Sequence, residues 1–332
     1  MRRRDFSLAL GAAVIAAPRA AVAQEERKKH FIAILHPAVS IADMSASGSP
    51  NFSAFFEELR RLGYAEGTNL IVARRSADGD ERRILDLAHE LAELKPAAIF
   101  AITNRAVAAL KATTTTIPIV AFVADPVFYG LAAYLARPGG NITGFTVDAG
   151  REFSEKLLAL LKEAIPTAAK IALLNPRGAV RNREGYEEAA KSLRFTPIAV
   201  PLDPPVDERE YRRAFSVMAR DRVDAVYVTV APENYVHRRT IAKLAVEAKL
   251  PTIFAFHEPG EAGGLMAYTF DSRAIYRGAA GYIDLILKGA NPAEMPFQQP
   301  AKWKLIINLK TAKALGLAIP ESLLARADEV IE

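Results

Sequence analysis

Six short polar clusters punctuate this chain, each directly after an apolar run: His36-Pro37, Thr103-Asn104, Asp125-Pro126, Asn175-Pro176, Pro232-Glu233-Asn234 and His257-Glu258-Pro259. A carboxylate in such a cluster accepts hydrogen bonds from an ammonium or hydroxyl group, and an amide both donates and accepts. Proline fixes the backbone as it leaves the run. This is chemistry for holding a small polar molecule. The same residue types also cap helices and make turns, so only convergence of the whole set on one crevice distinguishes a binding site from a series of turns. Catalysis finds less support. There is no G-x-G-x-x-G or G-x-x-x-x-G-K-[ST] phosphate loop, and no G-x-S-x-G elbow. "HELAE" at 89–93 lacks the second histidine of a zinc-protease helix, and the five histidines show no metal-ligand spacing. Asp125 and Glu233 have the chemistry of an acid–base pair. With no nucleophile or cofactor loop beside them, a binding carboxylate is the simpler use, and no cofactor is expected.

The elements that must position these clusters alternate regularly. "HFIAIL" reads as a strand. "NFSAFFEELRRLGY" reads as a helix with Phe52, Phe55, Phe56, Leu59 and Leu62 on one face, stopped by Gly63. "NLIVARRS", "AAIFAI" and "IPIVAFV" follow as strands, separated by helices over "ERRILDLAHELAELKP" and 104–114. Beyond the turn "RPGGN" and the helix "REFSEKLLALLKEAIP", the alternation restarts: strands "KIALLN", "TPIAVP", "VDAVYVTV" and "PTIFAF", with helices over 181–195, 207–220 and 233–249. Strand–helix alternation of this kind specifies parallel sheets covered on both faces. The chain therefore holds two α/β units of similar design. In such sheets ligands bind outside the carboxyl ends of the strands, where the six clusters fall. A further strand "GGLMAYTFD", a helix "SRAIYRGAAGYIDLILKG" and a final strand and helix over "LIINLKTAKALGL" imply that the chain crosses back between the units, making a hinge.

With 332 residues, 51% of them hydrophobic and 24% charged, the composition is that of a globular protein large enough for two domains. Residues 1–23 carry a basic start, an apolar stretch and an A-x-A site before Gln24, the three parts of a secretory signal peptide. Arg3-Arg4-Asp5-Phe6 resembles the twin-arginine signal, although Ser7 stands where that signal has an apolar residue, so a Sec signal is the alternative. Removing this segment, which holds four arginines and one acid, lowers the formal net charge from +5 to +2. No basic block remains for nucleic acid. The absence of cysteine excludes disulfides, thiolate metal sites and a lipidated cysteine. The expected product is a free periplasmic protein and a monomer.

With these residues in view, the chain resembles the periplasmic ABC-transporter substrate-binding proteins of the tryptophan and tyrosine type. The matching stretches are "ELRRLGYAEGTNL", "LAHELAELKPAAIFAIT", "TIPIVAFVADPV", "LARPGGNITGFT", "EAGGLMAYTFD", "ILKGANPAEMPFQQP" and "LIINLKTAKALGLAIPESLLARADEVIE". The resemblance implies a type I periplasmic-binding fold of two Rossmann-like lobes joined by a hinge, with a small-molecule ligand closed between them and a membrane permease as partner. It places residues 24–146 plus about 271–300 in lobe 1, and 147–270 plus about 301–332 in lobe 2. Carried over by position, Thr103, Asn104, Asp125, Asn175 and Asp271 become ligand contacts. The chain departs from the family pattern at Thr103-Asn104, where T-P is usual. It departs again at Tyr268-Thr269-Phe270-Asp271, where Thr269 replaces a glycine that leaves space.

From the residues themselves, Asp125, Glu233 and Glu258 suit an ammonium group, and Asn234 and His257 are polar neighbours at the same strand ends. Helix starts after residues 103 and 233 offer N–H groups to a carboxylate. Phe128, Tyr129, Tyr235 and Phe256 stand beside these ends and can stack on an apolar side chain. The expected ligand is an amino acid or similar small carboxylate. Two other readings use the same scaffold: a sensor presenting its ligand to a membrane receptor, and an exported enzyme.

Overall fold

The strand β3, Ala98–Ile102, has no exposed residue, and its alternate side chains feed two separate cores. Ala98, Phe100 and Ile102 join one, and Ile99 and Ala101 the other. Both faces of the sheet are covered, so the strand reads as a continuous apolar run rather than an alternation. In this computed structural model, which describes residues 29–147, 151–177, 180–256, 263–300 and 302–332, β3 is the centre of a five-stranded sheet. Its order is β2 (Leu70–Ser76), β1 (His30–His36), β3, β4 (Ile119–Ala124), β5 (Ile142–Val147), and every pair is parallel. The expected leader at 1–23 and the cluster His257-Glu258-Pro259 lie outside the described residues.

Helix α1 (Pro50–Arg61) covers one face of this sheet, and α2 (Ile84–Glu93) and α3 (Asn104–Thr113) cover the other. Because the strands are parallel, each helix begins at the carboxyl edge of the strand before it. The starts of α1 and α3 therefore share one edge of the sheet.

The second sheet is larger than the sequence suggests. Its order is β12 (Glu329–Ile331), β11 (Trp303–Asn308), β10 (Met266–Phe270), β9 (Thr252–Phe254), β8 (Ala225–Val228), β6 (Lys170–Pro176), β7 (Thr196–Leu202). All pairs are parallel except β10–β11. Its helices are α4 (Arg151–Ala164), α5 (Val180–Ser192), α6 (Glu208–Asp221), α7 (Pro232–Val236) and α8 (Arg238–Glu247). The single helix expected over 233–249 is thus two, meeting at His237, where ψ is 15°.

After β10 the chain leaves this sheet. Helix α9 (Ser272–Leu287) packs against α1 of the first unit: Tyr64 donates to Asp284 Oδ1 at 2.9 Å, and Lys288 donates to the same carboxylate at 2.9 Å. The approach of α9 to β5 is close enough to require glycine, since a Cβ at Gly278 would lie 2.5 Å from Phe145 Cζ. The chain then runs beside β5, where Thr143 donates to the Met295 carbonyl at 2.6 Å and Thr146 N–H to the Gln298 carbonyl at 2.8 Å. It finally returns to the second sheet as β11, followed by α10 (Leu309–Leu315), α11 (Glu321–Leu324) and β12. A line of aromatic rings accompanies these crossings. Phe100 meets Tyr276, Tyr276 meets Phe122, Phe122 meets Phe270, and Phe270 meets Trp303, at centroid distances of 5.3, 6.2, 6.0 and 5.4 Å.

Candidate functional site

Two neighbouring strand ends on the first sheet have strained exits. Thr103, after β3, has φ 83°, and Asp125, after β4, has φ 36°, left-handed values that side-chain-bearing residues seldom adopt. Each is held by local bonds. Thr103 N–H donates to the Phe122 carbonyl at 2.9 Å, and its Oγ1 accepts from Ala106 N–H at 3.5 Å, a weak cap on α3. Asn104 Oδ1 accepts from Ala124 N–H at 2.9 Å, tying the start of α3 to the end of β4. Asp125 Oδ1 accepts from Phe128 N–H at 3.0 Å, and its carbonyl accepts from Tyr129 N–H at 3.2 Å. The turn-making role is therefore real for Asp125, and its half-buried carboxylate sits at the carboxyl edge beside Thr103 and Asn104.

At the end of β1, His36 is buried, and its Nδ1 accepts from the N–H groups of Ala38 and Val39 at 3.0 and 2.9 Å. Burial lowers its pKa to about 3. It is a neutral ring carrying its proton on Nε2, and it offers no cation to a ligand.

On the second sheet, three of the expected residues stand together above a buried network. Tyr211 donates to Asn234 Oδ1 at 2.9 Å, and Asn234 Nδ2 donates to the carbonyls of Leu174 and Thr229 at 3.2 and 3.1 Å. Thr229 Oγ1 donates to Asn175 Oδ1 at 2.9 Å. Asn234 is 0% exposed with both ends of its amide engaged, so it braces the strand ends from beneath instead of facing a ligand. The expectation of direct contact is corrected on this point. The cause is the start of α7, which turns Asn234 toward β6 and β8 while its neighbour Glu233 points elsewhere.

Glu233 is 7% exposed, and among the described residues its carboxylate accepts only from its own backbone N–H. Burial raises its pKa, Glu81 raises it further, and Arg105 opposes the rise. Glu81 and Arg105 belong to the first unit, where they form an ion pair at the start of α3. The field at Glu233 thus reaches across from one unit to the other.

Asp271 follows β10 and caps α9, with Oδ1 accepting from Ala274 N–H at 3.1 Å and Oδ2 lying 3.5 Å from Arg277. It stands at the carboxyl end of β10, which runs parallel to β9, and where the chain crosses to the first unit. Phe256 is buried against Phe254 at 5.3 Å, whereas Phe128 is half exposed beside Tyr129. Arg105 and Glu81 were not singled out in the sequence. The only signal for Arg105 is its place next to Asn104 in the first turn of a helix that begins at the crevice.

Among the described residues no group of three or more His, Cys, Asp or Glu side chains is placed to hold a metal ion. No helix there is long and apolar enough to cross a membrane. Two open, largely parallel α/β units linked by repeated crossings define a periplasmic-binding-protein type I fold. The chain belongs to the ABC transporter substrate binding protein family, whose model matches residues 47–331. It is 25% identical over 271 residues to the tyrosine-binding protein of Clostridioides difficile, a match covering 79% of this chain and 75% of that one. Among solved structures, a conserved domain protein from Vibrio cholerae superposes with a TM-score of 0.82 at 26% identity, covering 91% of this chain and all of that one. An ABC domain from Streptococcus pneumonia in complex with L-Trp superposes with a TM-score of 0.78 at 23% identity, covering 92% of this chain and all of that one. The family and the fold are those of substrate-binding proteins rather than enzymes.

Proposed function

We propose that this protein is exported, captures an aromatic L-amino acid or a similar small carboxylate between two lobes, and delivers it to the permease of an ABC transporter. The observation that carries this reading is Glu233, a nearly buried carboxylate with no side-chain partner among the described residues, within the electrostatic reach of Glu81 and Arg105 of the first unit. Leaving a buried carboxylate unpaired is costly, and a ligand ammonium supplies the missing charge. Asp125, Thr103 and Asn104 form the opposing wall, and the Tyr211–Asn234–Thr229 network, which Asn175 joins through Thr229, holds the second wall rigid. The lobes are residues 24–146 with about 271–300, and 147–270 with about 301–332, and the crossings at α9 and β11 form the hinge. The aromatic side chain is favoured by the relatives that carry tyrosine or L-Trp in their names. Residues 1–23 act as the export signal, in keeping with a family of transporter components.

The test is mass spectrometry of small molecules released on denaturing protein purified from the periplasm. A thermal-shift panel of the twenty amino acids, run without added cofactor, accompanies it. An aromatic amino acid in the released fraction, raising the melting temperature when added back, is the expected result. Shifts that appear only with a metal or a nucleotide would end the reading.

A further inference from the structure

The three crossings between the units meet at one ring. The first runs from β5 to α4 and carries Phe153 in the first turn of that helix. The second leaves β10 at Phe270, and the third enters β11 at Trp303. Trp303 stands opposite Phe270 in the antiparallel register of β10 and β11 and meets its ring edge-on at 5.4 Å. It also lies 4.7 Å from Phe153 and stacks on Tyr268 at 5.7 Å, with the two planes 14° apart.

These partners belong to different cores. Phe270 is part of the apolar cluster beneath α1 and α9 of the first unit, and half-buried Trp303 packs against that cluster. Phe153 and Tyr268 pack against the cluster beneath α4 and α5 of the second unit. Rotating one unit against the other must therefore move Trp303 away from one of its two sets of rings. Aromatic pairs favour particular stacked and edge-on arrangements, so the cluster opposes rotation. Phe270 carries the contact on to Phe122 of β4 at 6.0 Å, three residues before the strained exit at Asp125. The Phe122 carbonyl in turn holds Thr103 N–H. The rings are engaged while the units stand close, with Glu233 inside the field of Glu81 and Arg105.

We infer that Trp303 is a latch on the hinge: it holds the lobes in their close arrangement and sets ligand affinity through lobe geometry instead of ligand contact. This inference rests on the capture reading above and adds a positioning residue to it. If only the close arrangement binds, apparent affinity falls in proportion to the fraction of ligand-free protein that has it.

The chain has no cysteine, so Arg82→Cys and Arg209→Cys give one spin-label site on each lobe. Both positions are exposed, one following β2 and the other following β7. Dipolar spectroscopy then reads the separation of the lobes in the ligand-free protein. Trp303→Ala should shift the population to longer separations. It should also weaken the tightest binder among L-tyrosine, L-tryptophan and L-phenylalanine by about two- to ten-fold, the effect of losing one aromatic pair. Phe153→Leu leaves Trp303 in place and should act in the same direction, which covers the case in which Trp303→Ala does not fold. Trp303→Phe keeps a ring there and should stay closer to wild type than Trp303→Ala in both readings. Unchanged separations in these variants overturn the inference, whatever the affinities, and leave the capture reading standing. Longer separations with unchanged affinity overturn it too. If the wild type binds none of the three amino acids, the capture reading falls, and the separations alone decide whether Trp303 holds the lobes together.

Discussion

Glu233→Gln keeps the shape of the side chain and removes its charge, so its effects on affinity and on ligand-free stability should run in opposite directions. In the ligand-free protein the carboxylate is almost wholly buried, and burial raises its pKa above the ordinary glutamate value. The folded protein therefore holds this proton more tightly than the unfolded chain. Stability from this group is complete below the ordinary value and declines as pH rises through the raised one. At neutral pH the wild type bears the cost of a buried charge, which glutamine does not. The variant should melt higher than wild type at pH 7, and the difference should close on acidification toward pH 4. Affinity should move the other way. Losing a charge-assisted hydrogen bond to an ammonium group costs about 1.5–3 kcal/mol, or roughly ten- to hundred-fold in Kd. Melting curves at the two pH values and calorimetry with L-tyrosine and L-tryptophan measure both effects. A variant that melts lower at pH 7 and binds as well as wild type would refute the reasoning, because Glu233 would then be a structural residue.

Three further expectations follow from particular contacts. Asp125→Ala should cost about 1 kcal/mol of ligand-free stability by deleting the bond to Phe128 N–H. Asp125→Asn keeps that bond and tolerates the left-handed backbone, so denaturant melts should barely move while calorimetry reports any loss of ligand contact. Gly278→Ala should lose about 1–3 kcal/mol through its clash with the Phe145 ring, and adding Phe145→Leu should recover part of the loss in the same melts. Trp303, the one tryptophan in the chain, stands against Phe270 and Tyr268 at the crossing. Its emission should change on addition of a saturating amino acid if the lobes rotate there, and Trp303→Phe should abolish the signal.

Much of the fold was legible because burial on both faces leaves a plain mark. "AAIFAI" and "IPIVAFV" have no place for a polar residue, so they read as central strands. The final strand, Glu329–Ile331, was not legible: it is short and at the sheet margin, and its exposure breaks the pattern. The break at His237 was also hidden, because neither proline nor glycine marks it. For the proposed site, strand-end chemistry singled out Glu233, Asp125 and Asn175 as candidates. It could not separate Glu233 from Asn234, since adjacent residues at a helix start point in different directions and only packing decides which one faces the crevice.

The central claim is that one small zwitterion is enclosed between the two lobes without any helper. Isothermal calorimetry of the mature protein, stripped of ligand by unfolding and refolding, tests it most directly. Titration with L-tyrosine, L-tryptophan and L-phenylalanine in metal-free buffer should give saturable one-to-one binding for at least one of them. Burial of the aromatic ring should give a negative heat-capacity change. No saturable heat with any of the three, or binding that requires a metal ion or nucleotide, would contradict the account.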